Sequence, residues 1–289
     1  MIRFRSSTGE RTFDWTINLF LLVVLVVTIV PLLYVLLTSL TPLGRTPSLL
    51  LPPSVWSLEA YRQLLGQPSF LRATLISVAV TLGGVAVNMV LTVLTAYPLS
   101  RPSLPGRKLL IAFVLFTFLF NAGLIPTYLV VRDLGLLNTL PSLVLPGAIS
   151  VYNVFVMKAF FQNLPHSLEE AARLDGANEF QVLWHVVLPL SKPILLAISL
   201  FYAVGHWNEF FTPILYLSDS SLMPLPVLLR NILIGANLAE YVEASSVTSA
   251  PQEAIKMAAV VLATLPMLLV YPWIQQYFTK GVLLGSVKE

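Results

Sequence analysis

The feature that most constrains this chain is the recurrence of apolar runs about 20 residues long, the length an α-helix needs to cross a hydrocarbon core of about 30 Å. Six candidate spans follow: 16–40, 74–97, 109–131, 140–161, 193–217 and 257–277. In lipid every backbone N–H and C=O has to be satisfied within the protein, so segments of this length read as helices. Composition agrees: 56% of residues are apolar and 11% charged, where a soluble domain is about a quarter charged. The fold class expected is an all-α integral membrane protein.

Other classes fit poorly. A net charge of +3 is compatible with nucleic-acid binding, but Lys and Arg are scattered singly and form no basic stripe interleaved with aromatics. Without cysteine there is no disulfide framework and no thiolate metal site, and the three histidines have no metal-ligand spacing. The first apolar run follows Arg3, Arg5 and Arg11 as a signal peptide would. It exceeds the h-region length of about 7–15 residues, and Pro42, Leu43 and Gly44 make no cleavage site, so it reads as an uncleaved first helix.

Topology follows from charge. With residues 1–15 in the cytoplasm, Arg3, Arg5, Arg11, Arg101, Arg107, Lys108, Lys158, Arg173, Lys192, Lys280 and Lys288 lie inside. Arg45, Arg62, Arg72, Arg132, Arg230 and Lys256 lie outside. That asymmetry obeys the positive-inside rule and puts both termini in the cytoplasm, with 278–289 as a cytoplasmic tail. The spanning domain covers 16–277, with long external loops at 41–73 and 218–256. Prolines 126, 141, 146, 193, 213, 266 and 272 lie in or beside apolar runs and predict kinked, bundled helices. Ala79 with Gly83, and Gly84 with Asn88, allow close helix approach in the second span.

The internal loop 162–192 is distinctive because it reads as helical. Ser167 is positioned to cap a helix whose first turn carries Glu169 and Glu170 near the positive dipole end. Gly176 can end it in a left-handed conformation. A second amphipathic helix is expected from about Glu179 to Val187, with Phe180, Leu183, Trp184 and Val187 on one face and Pro189 as its stop. The product is a short helix-turn-helix offering small alanines and an acidic side chain to another surface.

Glu170-Ala171-Ala172, three residues, Gly176, nine residues, then Val186-x-Leu188-Pro189 resembles the EAA loop of ATP-binding-cassette importer permeases, with Val186 where Ile is usual. The run 171–211 and the tail 276–286 are similar to the carbohydrate, maltose-type branch of that family, and within it to permeases serving oligosaccharides released from polysaccharides. The resemblance extends over about Thr12 to Ser286. It implies a six-transmembrane-helix type I importer permease of the bacterial inner membrane. Its implied partners are a second homologous permease subunit, a dimer of ATP-binding subunits, an extracytoplasmic solute-binding protein, and a carbohydrate, expected to be an oligosaccharide, as substrate. It also implies that Glu170, Ala171, Ala172, Asp175 and Gly176 contact the ATPase. No G-x-x-x-x-G-K-[ST] phosphate cradle occurs, so ATP and Mg are expected in the partner subunit and no catalytic residue, cofactor or metal in this chain.

For the substrate pathway the fifth run is the richest, with Trp207, Asn208 and Glu209 inside an apolar stretch. A carboxylate there faces a partner, a cavity or the bundle interior. Trp207 offers an aromatic face, Asn208 a donor and an acceptor, and a stripe through Tyr202, Gly205 and Glu209 a lining. Asn121, Tyr152 and Asn153 are weaker candidates. The alternatives left open are the same machinery carrying a polyol or glycerol phosphate, a channel or secondary transporter independent of ATP, and a membrane-embedded enzyme, for which no nucleophile, base and orienter occur at suitable spacing.

Overall fold

The computed structural model describes residues 8–45, 52–234 and 251–286, and these are helical with turns and no strand. The chain divides into two compact units, residues 1–68 with 232–264, and residues 69–231 with 265–289.

The first unit contains α1 (Thr8–Ser39), α2 (Glu59–Leu65) and the first part of a long last helix. Apart from Asp14, Thr16, Asn18 and Thr28, residues 13–33 of α1 are apolar, and the stretch is exposed, as suits lipid contact, while Thr38 and Ser39 at its end are buried. Ser39 Oγ lies 2.6 Å from Tyr61 Oη, and Leu40 O accepts from the Ser57 N–H at 2.9 Å, pinning α2 beneath the end of α1.

The second unit is built around α3 (Pro68–Ser100). It is followed by α4 (Arg107–Leu119), α5 (Leu124–Asp133), 3-10 turns at Leu140–Leu143 and Leu145–Gly147, and α6 (Val151–Gln162). Then come α7 (His166–Leu174), α8 (Glu179–Leu190), α9 (Lys192–Asn208) and α10 (Phe211–Tyr216). Helices α11 (Leu225–Ile234) and α12 (Gln252–Ser286) complete the described chain. The face of α3 that is buried carries Ser77, Val80, Thr81, Gly84, Asn88, Thr92, Ala96 and Ser100. Small and polar residues let helices approach and hydrogen-bond where burying Leu gains nothing over lipid.

Among the described residues three helices are long and apolar enough to cross a membrane alone, and up to six spans result if each of three bent pairs is one. The expected runs at 109–131 and 140–161 are therefore not straight. The first bends by 110° between α4 and α5, where Asn121 Oδ1 accepts from the Gly123 N–H at 2.8 Å and Gly123 takes φ +86°. The second bends by 56° after the turns Leu140–Leu143 and Leu145–Gly147, which carry Pro141 and Pro146 as their second residues. The run at 193–217 also breaks: α9 ends at Asn208 and Glu209 is extended, while the third bent pair joins α8 to α9 at 82°. The last helix continues past 277 to Ser286.

Loop 162–192 does fold as a helix-turn-helix, with three corrections. Helix α7 starts at His166 after an extended Pro165 and has no side-chain cap, because Ser167 falls inside the first turn. In α8 the buried residues are Val182, Leu183 and Val187, whereas Phe180 and Trp184 are exposed. Residues Leu183–Val187 form a π-turn, which shifts the facing residues away from a 3.6-residue period. Pro189 does not stop the helix. It sits in the turn Leu188–Leu190 and the break comes at Ser191, whose N–H reaches both Val187 O and Leu188 O.

Candidate functional site

Two polar regions stand out in the second unit, one at each end of the α3 segment from Asn88 to Arg101. The first surrounds α7. Asn178 caps α8 by accepting from the Gln181 N–H, and Gln181 returns the bond to the Asn178 N–H, so the turn between α7 and α8 is locked from both sides. Gly176 enters that turn at φ +87°, a conformation that other residues resist. Glu170, Ala171, Leu174, Asp175 and Gly176 are exposed, Ala172 is half-buried, and Glu169 is buried at 2% exposure. The acidic, small-residue face predicted for docking is thus open, and its adjacent glutamate is turned inward.

Glu169 Oε2 accepts a hydrogen bond from Arg101 Nη1 and has Arg173 Nη2 at 3.7 Å. Arg101 lies over the Tyr97 ring at 4.3 Å. Arg173 Nε donates to Glu179 Oε1 at 2.9 Å, and Tyr97 Oη donates to Glu179 Oε2 at 2.9 Å. The Glu179 carboxylate beside it holds the Arg173 guanidinium above its ordinary pKa. Val182, Leu183 and Val187 pack with Tyr97, Met157, Phe161 and Ile198 beneath this network, which fixes α8 to the bundle.

The second region is a cavity of about 380 Å³ lined by Asn88, Ser142, Tyr202, Gly205, His206, Glu209, Thr212 and Tyr216, with Phe201, Leu143, Pro146 and Gly147. Asn88, 1% exposed, lies 3.2 Å by its Nδ2 from His206 Nε2. Tyr202 Oη shares a 2.8 Å hydrogen bond with Thr92 Oγ1 and accepts from the Ser150 N–H at 3.1 Å. Glu209 Oε1 accepts from the Phe211 and Thr212 N–H groups at 2.9 and 3.0 Å, so the carboxylate meets the free donors at the start of α10. The polar groups and three aromatic side chains set in this largely apolar wall are of the kind that meets sugar hydroxyls and ring faces.

Of the residues expected along a pathway, Glu209 lines this cavity, and so do Tyr202 and Gly205 of its predicted stripe. The others stand elsewhere. Trp207 is buried at 5% exposure outside the lining, and Asn208 is exposed with its Nδ2 donating to Val204 O at 2.9 Å. Asn121 serves the bend at Gly123, Tyr152 is exposed, and Asn153 is buried in α6. Sequence reasoning missed Ser142, Thr212 and the part Thr92 plays in holding Tyr202. For Thr92 the signal was present, since Asn88, Thr92, Ala96 and Ser100 recur every fourth residue of an apolar run.

An all-helical chain with lipid-length spans, a locked acidic helix-turn-helix and a half-open cavity with polar side chains in its wall has the parts of a membrane permease. Residues 3–284 match the family described as binding-protein-dependent transport system inner membrane component, and the chain belongs to that family. It is 46% identical, over 96% of its length and 99% of the relative, to the polygalacturonan/rhamnogalacturonan transport system permease protein YtcP of Bacillus subtilis (strain 168). It is 44% identical to the protein LplC of the same organism, covering 98% of this chain and 97% of that one. Among solved structures it is similar to a chain of a bacterial ABC transporter involved in the import of the acidic polysaccharide alginate. That match has a TM-score of 0.89 and 32% identity, and covers 96% of this chain and 100% of the other.

Proposed function

We propose that this chain is one of two permease subunits of an ATP-driven importer that carries an oligosaccharide into the bacterial cytoplasm through the inner membrane. Its partner set is a second, related permease, two ATP-binding subunits that hold ATP and Mg, and an extracytoplasmic solute-binding protein. Both termini and loop 162–192 lie on the cytoplasmic side, and six spans form by counting each bent pair once. End-to-end similarity to permeases named for polysaccharide-derived substrates supports the substrate class.

The observation that carries this reading is the exposed acidic face of α7, ended by Gly176, where the family's coupling pattern falls. Glu170, Ala171, Ala172, Asp175 and Gly176 make the contact with an ATP-binding subunit, and closure of the ATPase dimer on ATP moves α7. ATP drives the change because it binds the closed dimer more tightly than the open one. The substrate passes the cavity at Tyr202, His206 and Glu209, whose hydroxyl, imidazole and carboxylate exchange hydrogen bonds with sugar hydroxyls. Glu209 therefore stays in the pathway, while Trp207, Asn208, Tyr152, Asn153 and Asn121 support the helices around it.

The test is ATP hydrolysis by the purified complex with its binding protein and a panel of neutral and acidic oligosaccharides. One class of sugar stimulates the wild type, and Glu170→Ala or Gly176→Val abolishes the stimulation while the permease still inserts. If no ATPase subunit co-purifies and no sugar alters hydrolysis, the reading fails.

A further inference from the structure

Glu169 and Glu170 are neighbours of identical chemistry with opposite surroundings. Glu170 faces outward with the exposed alanine and aspartate, whereas Glu169 is buried against Arg101, which extends just beyond α3. Along α3, Thr92 and Asn88 reach α9 through Tyr202 Oη and His206 Nε2, and both of those residues line the cavity. The ion pair, the α3 segment and the two hydrogen bonds form an unbroken series of contacts from the docking helix to the cavity wall.

Resting on the importer reading above, we infer that the Glu169–Arg101 pair is the tie through which displacement of α7 moves α3, making both residues positioning residues for transport rather than contacts of the ATPase. A single apolar contact slides when α7 moves. A buried ion pair does not, since separating it strands a charge away from water. The second link, Arg173 to Glu179 to Tyr97, is more exposed and screened by solvent, so it does not replace the first. The tie also explains why two adjacent acids occur in the loop. One addresses the partner and the other addresses this chain's own helix.

The experiment uses the complete reconstituted complex and a mixed probe of neutral and galacturonate oligosaccharides. It measures subunit stoichiometry, basal ATP hydrolysis and ATP-dependent uptake for wild type, Glu169→Gln, Arg101→Gln and the double variant. The expected result is normal stoichiometry and basal hydrolysis within twofold in every variant. Uptake should fall at least tenfold in each single variant and no further in the double, and the exchanged pair Glu169→Arg with Arg101→Glu should recover part of it. Uptake at wild-type rates in the single variants overturns the inference, as do losses that multiply in the double variant. Loss of the ATP-binding subunits from Glu169→Gln overturns it too, because docking rather than transmission would then depend on Glu169. A wild type that retains no ATP-binding subunit overturns the importer reading and the tie together.

Discussion

The cluster at the end of α3 and the cavity at its middle are both polar, yet they are built differently. Around Arg101 the side chains pair by opposite charge, Glu169, Arg173 and Glu179 alternating in sign, while Arg101 Nε and Nη2 and Glu169 Oε1 are buried without a hydrogen-bond partner. Around Asn88 the described bonds join neutral partners, and the one lining carboxylate, Glu209, is met by backbone N–H groups rather than by a cation. The difference is consistent with the two roles proposed above. Full charges in register hold one geometry firmly, as the proposed ATPase contact requires, whereas neutral donors and acceptors can exchange partners with a polyhydroxylated solute at small cost.

The comparison breaks most easily at the charged end. Arg101→Leu leaves Glu169 buried with only Arg173 nearby, and removing one member of a buried pair costs about 3–5 kcal/mol. The thermal midpoint of the detergent-purified protein should drop by several degrees. Glu169→Gln should cost less, because the Arg101 it leaves unpaired is more exposed than Glu169, 13% against 2%, and still lies over the Tyr97 ring. Equal losses in the two variants would mean that packing, not charge, holds this end.

The charged end was also the more legible in sequence, for a physical reason. Its helix-turn-helix is local, with Gly176 after one turn of acids and Val186 to Pro189 within about four turns of it, while the Arg101–Glu169 and Tyr97–Glu179 pairs that tie it to α3 join residues far apart and were not legible. Even there Ser167 and the face of α8 were misplaced, because neither the extended Pro165 nor the π-turn has a signature in a 3.6-residue period. The cavity depends on distant pairs, Asn88 with His206 and Thr92 with Tyr202, and on turns at Pro141 and Pro146 that deliver Ser142. Glu209 was picked out as an acid in an apolar run, but the break beside it was not. A carboxylate that gathers two N–H groups ends one helix and starts another, which hydropathy does not register.

A smaller effect sharpens the packing of the neutral region. A Cβ on Gly84 would lie 2.5 Å from His206 Nε2 and 2.7 Å from its Cδ2, whereas a Cβ on Gly83 meets nothing within 4 Å. Gly84→Ala should force the imidazole away from Asn88 and destabilise by about 1–3 kcal/mol, the range for overpacking. Gly83→Ala should be neutral or stabilising by up to about 1 kcal/mol through helix propensity. Thermal midpoints of the two alanine variants measure the difference, and a matched response would remove the close approach of α3 and α9 from the account.

The smallest expected effect is the most discriminating. Thr92→Val keeps shape and removes only the hydroxyl that meets Tyr202 Oη, so Tyr202 still receives the Ser150 N–H and the cost should be about 1 kcal/mol. Tyr202→Phe removes the same bond and also strands the Ser150 N–H at the start of α6, so its cost should be larger. The double variant separates the two bonds: if Thr92 acts only through Tyr202, adding Thr92→Val to Tyr202→Phe should change the midpoint little. A neutral cavity wall that can trade hydrogen bonds with solute should show this shallow, saturating response. A steep, additive one would mean the region is held as rigidly as the charged end, and that the two regions along α3 do not differ in the way their chemistry implies.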